Sequence, residues 1–219
     1  MAMHPDGHLI VCDAAKGLLS ADPASGEVSL LASRLPNASL TPAEADIGAP
    51  QGRLLVYDPR THYTQQLADG IWFAKGVALS DNESYVLVAE TFGCRVLRHW
   101  LQGPAAGTTE VFVDGLPGFP DGISRAPGGD SYWLTIISTP SPLAKALPSS
   151  QLLRWLVAWL PKALNPKPTH VSSDGRILRS LHDPTGGRCH TSAAQVGGTL
   201  YMGSLASSHV CALDLAAAI

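Results

Sequence analysis

Short apolar runs, each entered through a polar turn, recur along the chain. His4-Pro5-Asp6-Gly7 leads into His8-Leu9-Ile10-Val11-Cys12, and Ser80-Asp81-Asn82-Glu83 leads into Tyr85-Val86-Leu87-Val88-Ala89. Gly128-Gly129-Asp130 precedes Tyr132-Trp133-Leu134-Thr135, and Gly197-Gly198 precedes Thr199-Leu200-Tyr201-Met202. Each run predicts the inner strand of a unit, with a second strand after it: Gly17–Ala21, Arg95–Trp100 and His209–Leu213. Third strands follow at Glu27–Leu31 and Thr109–Val113. Val, Leu and Tyr suit a pleated, half-buried surface. Units spaced about 45–75 residues apart are how propeller blades look in sequence, which favours an all-β chain over an α/β one.

Two stretches break the rhythm. Residues 33–51 carry Pro, Ala, Asn and Gly without alternation, which predicts an irregular linker. The strand pair Arg53–Tyr57 and Tyr63–Leu67 follows with no inner strands before it, so half a blade is expected to be missing there. In 149–164, Ser149 or Ser150 can cap a helix whose Leu152, Leu153, Leu156, Trp159 and Leu160 recur at helical spacing until Pro161. The expectation is an inserted helix packed over one propeller face, with a lid over the central pocket or a membrane-surface contact as the alternative, the latter with only Arg154 and Lys162 as basic charge. The domain expectation is one partial β-propeller over 1–219, of about four partial blades.

Composition narrows the function classes. With 45% hydrophobic and 15% charged residues the 219-residue chain is globular. A formal net charge of -3 leaves no electrostatic footprint for nucleic acid. No apolar run approaches the roughly 18–20 residues of a membrane span. Cys12, Cys94, Cys189 and Cys211 form no C-x-x-C pair, so no structural zinc pattern is present. Met1-Ala2-Met3 runs straight into a turn and strand, the expectation being a chain that begins inside a structural unit, as a fragment or truncated product would.

Five ordered motifs then carry a resemblance. Phe73-Ala74-Lys75-Gly76-Val77-Ala78-Leu79-Ser80 resembles an F-x-N-G-V-x-L-S element, and Val86–Thr91 followed by Arg95–Leu101 resembles the next two strands of the same pattern. Leu116-Pro117-Gly118-Phe119-Pro120-Asp121-Gly122-Ile123 resembles an L-P-G-x-P-D-N-I turn. Leu181–Pro184 and Leu200–Ser204 match the C-terminal part. Together they resemble the strictosidine synthase-like family, an alkaloid-biosynthesis-related group that includes the adipocyte plasma membrane-associated proteins.

The resemblance implies a six-bladed propeller with a central pocket for a small-molecule ligand or substrate. It implies an endomembrane lumen, a vacuole or a membrane-associated setting. Related propellers, the paraoxonases and gluconolactonases, hold Ca²⁺ and hydrolyse esters or lactones, so the family implies hydrolase-type activity. Asp121 matches the carboxylate of that metal shell, while Lys75 stands where a relative has a ligating Asn. A lysine ammonium about 5 Å from Ca²⁺ would be repelled by roughly 6–7 kcal/mol at an effective dielectric near 20. No cofactor is therefore expected for this chain, and Lys75 is expected to pair with Asp121. By position, the amine-condensing Glu of strictosidine synthase falls on Thr191 or Ser192, neither of which can act as a carboxylate acid/base, and strictosidine synthesis is not expected. His190, expected to share a face with Ser192, completes the pocket candidates Lys75, His190, Thr191 and Ser192. The alternative to a hydrolase is a non-catalytic small-molecule-binding or remnant propeller that has lost its calcium site.

Overall fold

The computed structural model describes residues 50–58, 60–61, 63–129, 131–137, 167–181, 190–204 and 210–217, of Lys167 the backbone alone. It also describes, as backbone strands, residues 2–3, 9–13, 17–21, 28–32, 34–35 and 38–39. The helix expected over 149–164 lies outside the described residues. All the described elements are strands, and they divide between two compact units, Met1–Gly70 and Ile71–Ile219.

The first unit holds a four-stranded antiparallel sheet, β1 (Ala2–Met3), β2 (Leu9–Asp13), β3 (Gly17–Ala21) and β4 (Val28–Ala32), paired in chain order. Within the expected linker, β5 (Arg34–Leu35) pairs with β6 (Ala38–Ser39), so part of that stretch is a small hairpin. β7 (Gly52–Asp58) and β8 (Tyr63–Ile71) form a two-stranded sheet, the strand pair expected from the sequence.

The second unit repeats one plan three times. β9 (Ala74–Leu79), β10 (Tyr85–Glu90), β11 (Arg95–Trp100) and β12 (Thr109–Val113) form one sheet. β13 (Pro120–Arg125), β14 (Ser131–Ile136), β15 (Lys167–Ser172) and β16 (Ile177–Ser180) form the next. β17 (His190–Val196), β18 (Thr199–Ser204) and β19 (Cys211–Asp214) form a three-stranded last sheet. All neighbours are antiparallel.

The edge strands β9, β13 and β17 pack successively against one another. They are therefore the inner strands, and the turn-led strands at Tyr85, Tyr132 and Thr199 are second in each sheet. The correction has a physical source. The turn-led strands are the most apolar, and those at Tyr85 and Tyr132 are buried on both faces, which makes them conspicuous. The inner strands alternate with glycine, alanine and polar residues, which hides them.

Period-2 alternation places the core. Along β14, Tyr132, Leu134 and Ile136 enter a cluster with Leu87, Ala89, Val96 and Ile123, while Trp133 points the other way, among Ala193, Leu200, Met202 and Cys211. The middle sheet thus seals both junctions. Burial of a Leu, Val or Ile side chain contributes about 1.5–3 kcal/mol, so these two layers carry much of the unit's stability.

Candidate functional site

Each inner strand carries a register irregularity near its start. Val77 pairs with Val88 and Ala74 with Glu90, leaving Lys75 and Gly76 opposite Ala89 alone. Pro120 pairs with Ile136 and Ile123 with Leu134, leaving Asp121 and Gly122 opposite Thr135. His190 pairs with Ser204 and Ser192 with Gly203, leaving Thr191 as the extra residue. Bulges bend a strand and re-aim a side chain, and they concentrate beside functional sites. Here the three hold Lys75, Asp121 and Thr191, and the inner-strand contacts bring them into one row.

Backbone closeness fixes that row. A Cβ on Gly76 would lie 2.5 Å from the Ile123 nitrogen and 2.7 Å from the Asp121 carbonyl oxygen. A Cβ on Gly122 would lie 2.5 Å from the Thr191 carbonyl oxygen. Hydroxyls then staple the sheets. Thr135 Oγ1 accepts from the Gly122 N–H at 2.9 Å and donates to the Thr191 carbonyl at 2.9 Å. Ser124 Oγ donates to the Ala193 carbonyl at 2.6 Å, Trp133 Nε1 to Gln195 Oε1 at 2.8 Å, and Thr91 Oγ1 to the Pro120 carbonyl at 2.8 Å.

Asp121 lies in strand β13, not in a turn, and is 7% exposed. Among the described residues no donor meets its carboxylate. Burial raises its pKa, and the Lys75 charge partly offsets this. The expected direct Lys75–Asp121 pair does not form. Lys75 is exposed, and its Nζ sits 4.6 Å from the Phe73 ring centroid, a cation–π contact. Phe73 itself holds a left-handed backbone, φ 59°, an uncommon conformation for a bulky side chain. Its ring packs on Phe92 at 5.0 Å, and Phe92 packs edge-on against Trp72 and Phe119. A half-buried aromatic cluster therefore lies between Lys75 and the start of β13.

The His190–Ser192 expectation needs correcting as well. His190 is buried while Ser192 is exposed, because the bulge between them breaks the alternation that would have put them on one face. Thr191 and Ser192 lie within β17, and Thr191 contributes its carbonyl. Glu90 and Arg95 form a strand-end ion pair, and the Trp72 backbone N–H also donates to Glu90 Oε1 at 2.8 Å. Arg98 instead pairs with Glu110 and lies over the Trp100 ring, 4.5 Å from its centroid.

The described residues do not fit a calcium shell. Ca²⁺ takes about 6–8 oxygen ligands. No group of three His, Cys, Asp or Glu side chains comes together among the described residues, and the single inner-strand carboxylate feels an ammonium. Sequence reasoning missed Thr135, Gly76 and the aromatic cluster. Gly76 stood in a quoted motif, but nothing in its spacing marked a sheet-to-sheet contact.

The comparisons with known proteins agree with this architecture. The strictosidine synthase family model matches residues 43–104. Strictosidine synthase-like protein 10 of Arabidopsis thaliana is 36% identical over 75% of the chain and 47% of its own length. The adipocyte plasma membrane-associated protein of Rattus norvegicus is 31% identical over 96% of the chain and 68% of its own length; for the human one the figures are 31%, 97% and 62%. The chain thus spans about half to two thirds of these relatives. Among solved structures, regucalcin from Agrobacterium tumefaciens, described as a calcium-binding protein, superposes with a TM-score of 0.61 at 16% identity, covering 94% of this chain and 68% of that one. A gluconolactonase from Xanthomonas campestris gives 0.58 at 18%, covering 93% and 67%. Both likenesses concern the fold, that of six-bladed propellers.

Proposed function

Because the chain belongs to the strictosidine synthase-like family of propeller proteins, we propose that it is a binding member of that family, holding a small apolar molecule without calcium. The observation that carries this reading is the inner-strand row. One desolvated carboxylate, Asp121, lies within electrostatic reach of one exposed ammonium, Lys75, beside the cluster of Phe73, Phe92 and Phe119. Such a surface suits a ligand with an aromatic or aliphatic body and an anionic or carbonyl oxygen. The rings supply area, and Lys75 supplies a charge-assisted donor.

Strictosidine synthesis has no support, since Thr191 and Ser192 supply no carboxylate. Ester or lactone hydrolysis remains a second reading, favoured by Asp121, which has the residue type and burial of a metal-shell carboxylate. Membrane association is supported by the name of the animal relatives. No helix among the described residues is long and apolar enough to cross a membrane.

The test is calorimetry and thermal melting of the full chain with 4-phenylbutyrate and, separately, with Ca²⁺. Binding of the carboxylate, weakened at least about tenfold by Lys75→Met, is expected. Calcium should leave Tm unchanged. Calcium-dependent hydrolysis of phenyl acetate or a δ-lactone, abolished by Asp121→Asn, would replace this reading with the hydrolase.

A further inference from the structure

The bulges on β9 and β13 have the same form and different anchors. Lys75 and Gly76 lie opposite Ala89, and Asp121 and Gly122 lie opposite Thr135. A bulge takes backbone groups out of the ladder, and buried ones need other partners. Ala89 has no polar side-chain atom to offer, so a bulge of this form does not require one. Thr135, wholly buried, nevertheless supplies a hydroxyl. It accepts from the Gly122 N–H at 2.9 Å. Its one proton has the Gly122 carbonyl at 3.1 Å and the Thr191 carbonyl at 2.9 Å as acceptors.

A second buried threonine acts from the preceding sheet. Thr91, directly after β10, donates from Oγ1 to the Pro120 carbonyl at 2.8 Å. The Pro120 carbonyl belongs to the peptide group ahead of Asp121, and the Gly122 N–H to the peptide group behind it. Both peptide groups that flank Asp121 are thus gripped by a threonine hydroxyl, one from its own sheet and one from its neighbour. The carbonyl of Asp121 itself lies against Gly76, where a Cβ would come within 2.7 Å of it. Fixing two consecutive peptide groups fixes the direction of the Cα–Cβ bond between them. All of these contacts lie inside the second unit.

We infer that Thr91 and Thr135 are positioning residues, which hold the Asp121 carboxyl apart from the Lys75 ammonium and so leave that ammonium to a ligand oxygen. The consequence for a ligand rests on the site proposed above; the clamp itself does not. The clamp accounts for the missing direct Lys75–Asp121 pair, although the Lys75 charge is felt at the carboxyl.

A double-mutant cycle on the full chain tests it, with thermal melting at neutral pH as the first readout. Thr135→Val keeps the shape and removes the grip, so the freed carboxyl can close on Lys75. Asp121→Asn should raise Tm in the wild type, and should lower it or leave it unchanged in the Thr135→Val background. Thr135→Ser, which keeps the hydroxyl, should restore the wild-type response. Ser124→Ala removes a staple of the same junction that touches neither flanking peptide group, and should not alter the Asp121→Asn step. The second readout is 4-phenylbutyrate affinity. A released carboxyl that occupies Lys75 about two thirds of the time weakens binding about threefold in Thr135→Val, and adding Asp121→Asn restores it. Thr91→Val repeats both readouts from the other side if Thr135→Val fails to fold. An Asp121→Asn step of equal size in the wild type and in both threonine variants would overturn the proposal, as would a Ser124→Ala background that changes the step just as much. A wild type that does not bind 4-phenylbutyrate would remove the ligand site, and the melting cycle would still decide the clamp.

Discussion

Two buried carboxylates in the same unit have opposite surroundings. Glu90, 2% exposed, accepts from the Trp72 N–H and from Arg95, and Gly93 leaves room for it: a Cβ there would lie 2.6 Å from Glu90 Oε2. Asp121, 7% exposed, has neighbours that bury it and no donor among the described residues. Glu90 ties a blade corner. Asp121 lies at the inner strands without such a partner, the arrangement on which the proposed ligand site rests.

The largest test of this contrast is Glu90→Ala. It strips the partner from Arg95 and the acceptor from the Trp72 N–H. Breaking a wholly buried pair costs about 3–5 kcal/mol, and because the Arg95 side chain is 38% exposed we expect about 2–3 kcal/mol in urea denaturation. A loss below about 0.5 kcal/mol would erase the distinction, since that is the scale of neutral surface changes.

Gly122→Ala comes next. Its Cβ meets backbone rather than a movable side chain, so the two sheets must part, costing about 1–3 kcal/mol. The same loss from Ser124→Ala would show that the hydroxyl staples, not the close approach, hold the junction.

The smallest expected effect has the opposite sign. Burial raises the Asp121 pKa, so between the ordinary carboxylate value of 3.8 and the raised one the native state holds a proton that the unfolded chain has lost. Stability contributed by this group therefore falls as pH rises through that window. Asp121→Asn should stabilise the chain at neutral pH by about 1 kcal/mol, a Tm rise of about 2–4 °C, and the gain should vanish below the ordinary carboxylate range. A destabilised Asn variant would make Asp121 a second Glu90.

The sequence shows the fold more fully than the site. β11 and β12 coincide with the strands expected at Arg95–Trp100 and Thr109–Val113, because apolar period-2 runs between Gly-rich turns leave little choice. The family was legible from short ordered motifs such as Leu116–Ile123. The inner strands were misassigned because their burial comes from backbone approach at Gly76 and Gly122, which hydropathy does not register. The site was legible as residues and not as geometry. Lys75 and Asp121 could be named, but a one-residue bulge decides where a side chain points, and bulges have no reliable signature. The same reason separated His190 from Ser192.

Gly122 stands where the family pattern carries Asn, and the space for a side chain there is now filled by the Thr191 carbonyl. A side chain at this position is therefore a change that two sheets must accommodate together: asparagine fits only if the β17 backbone moves away with it.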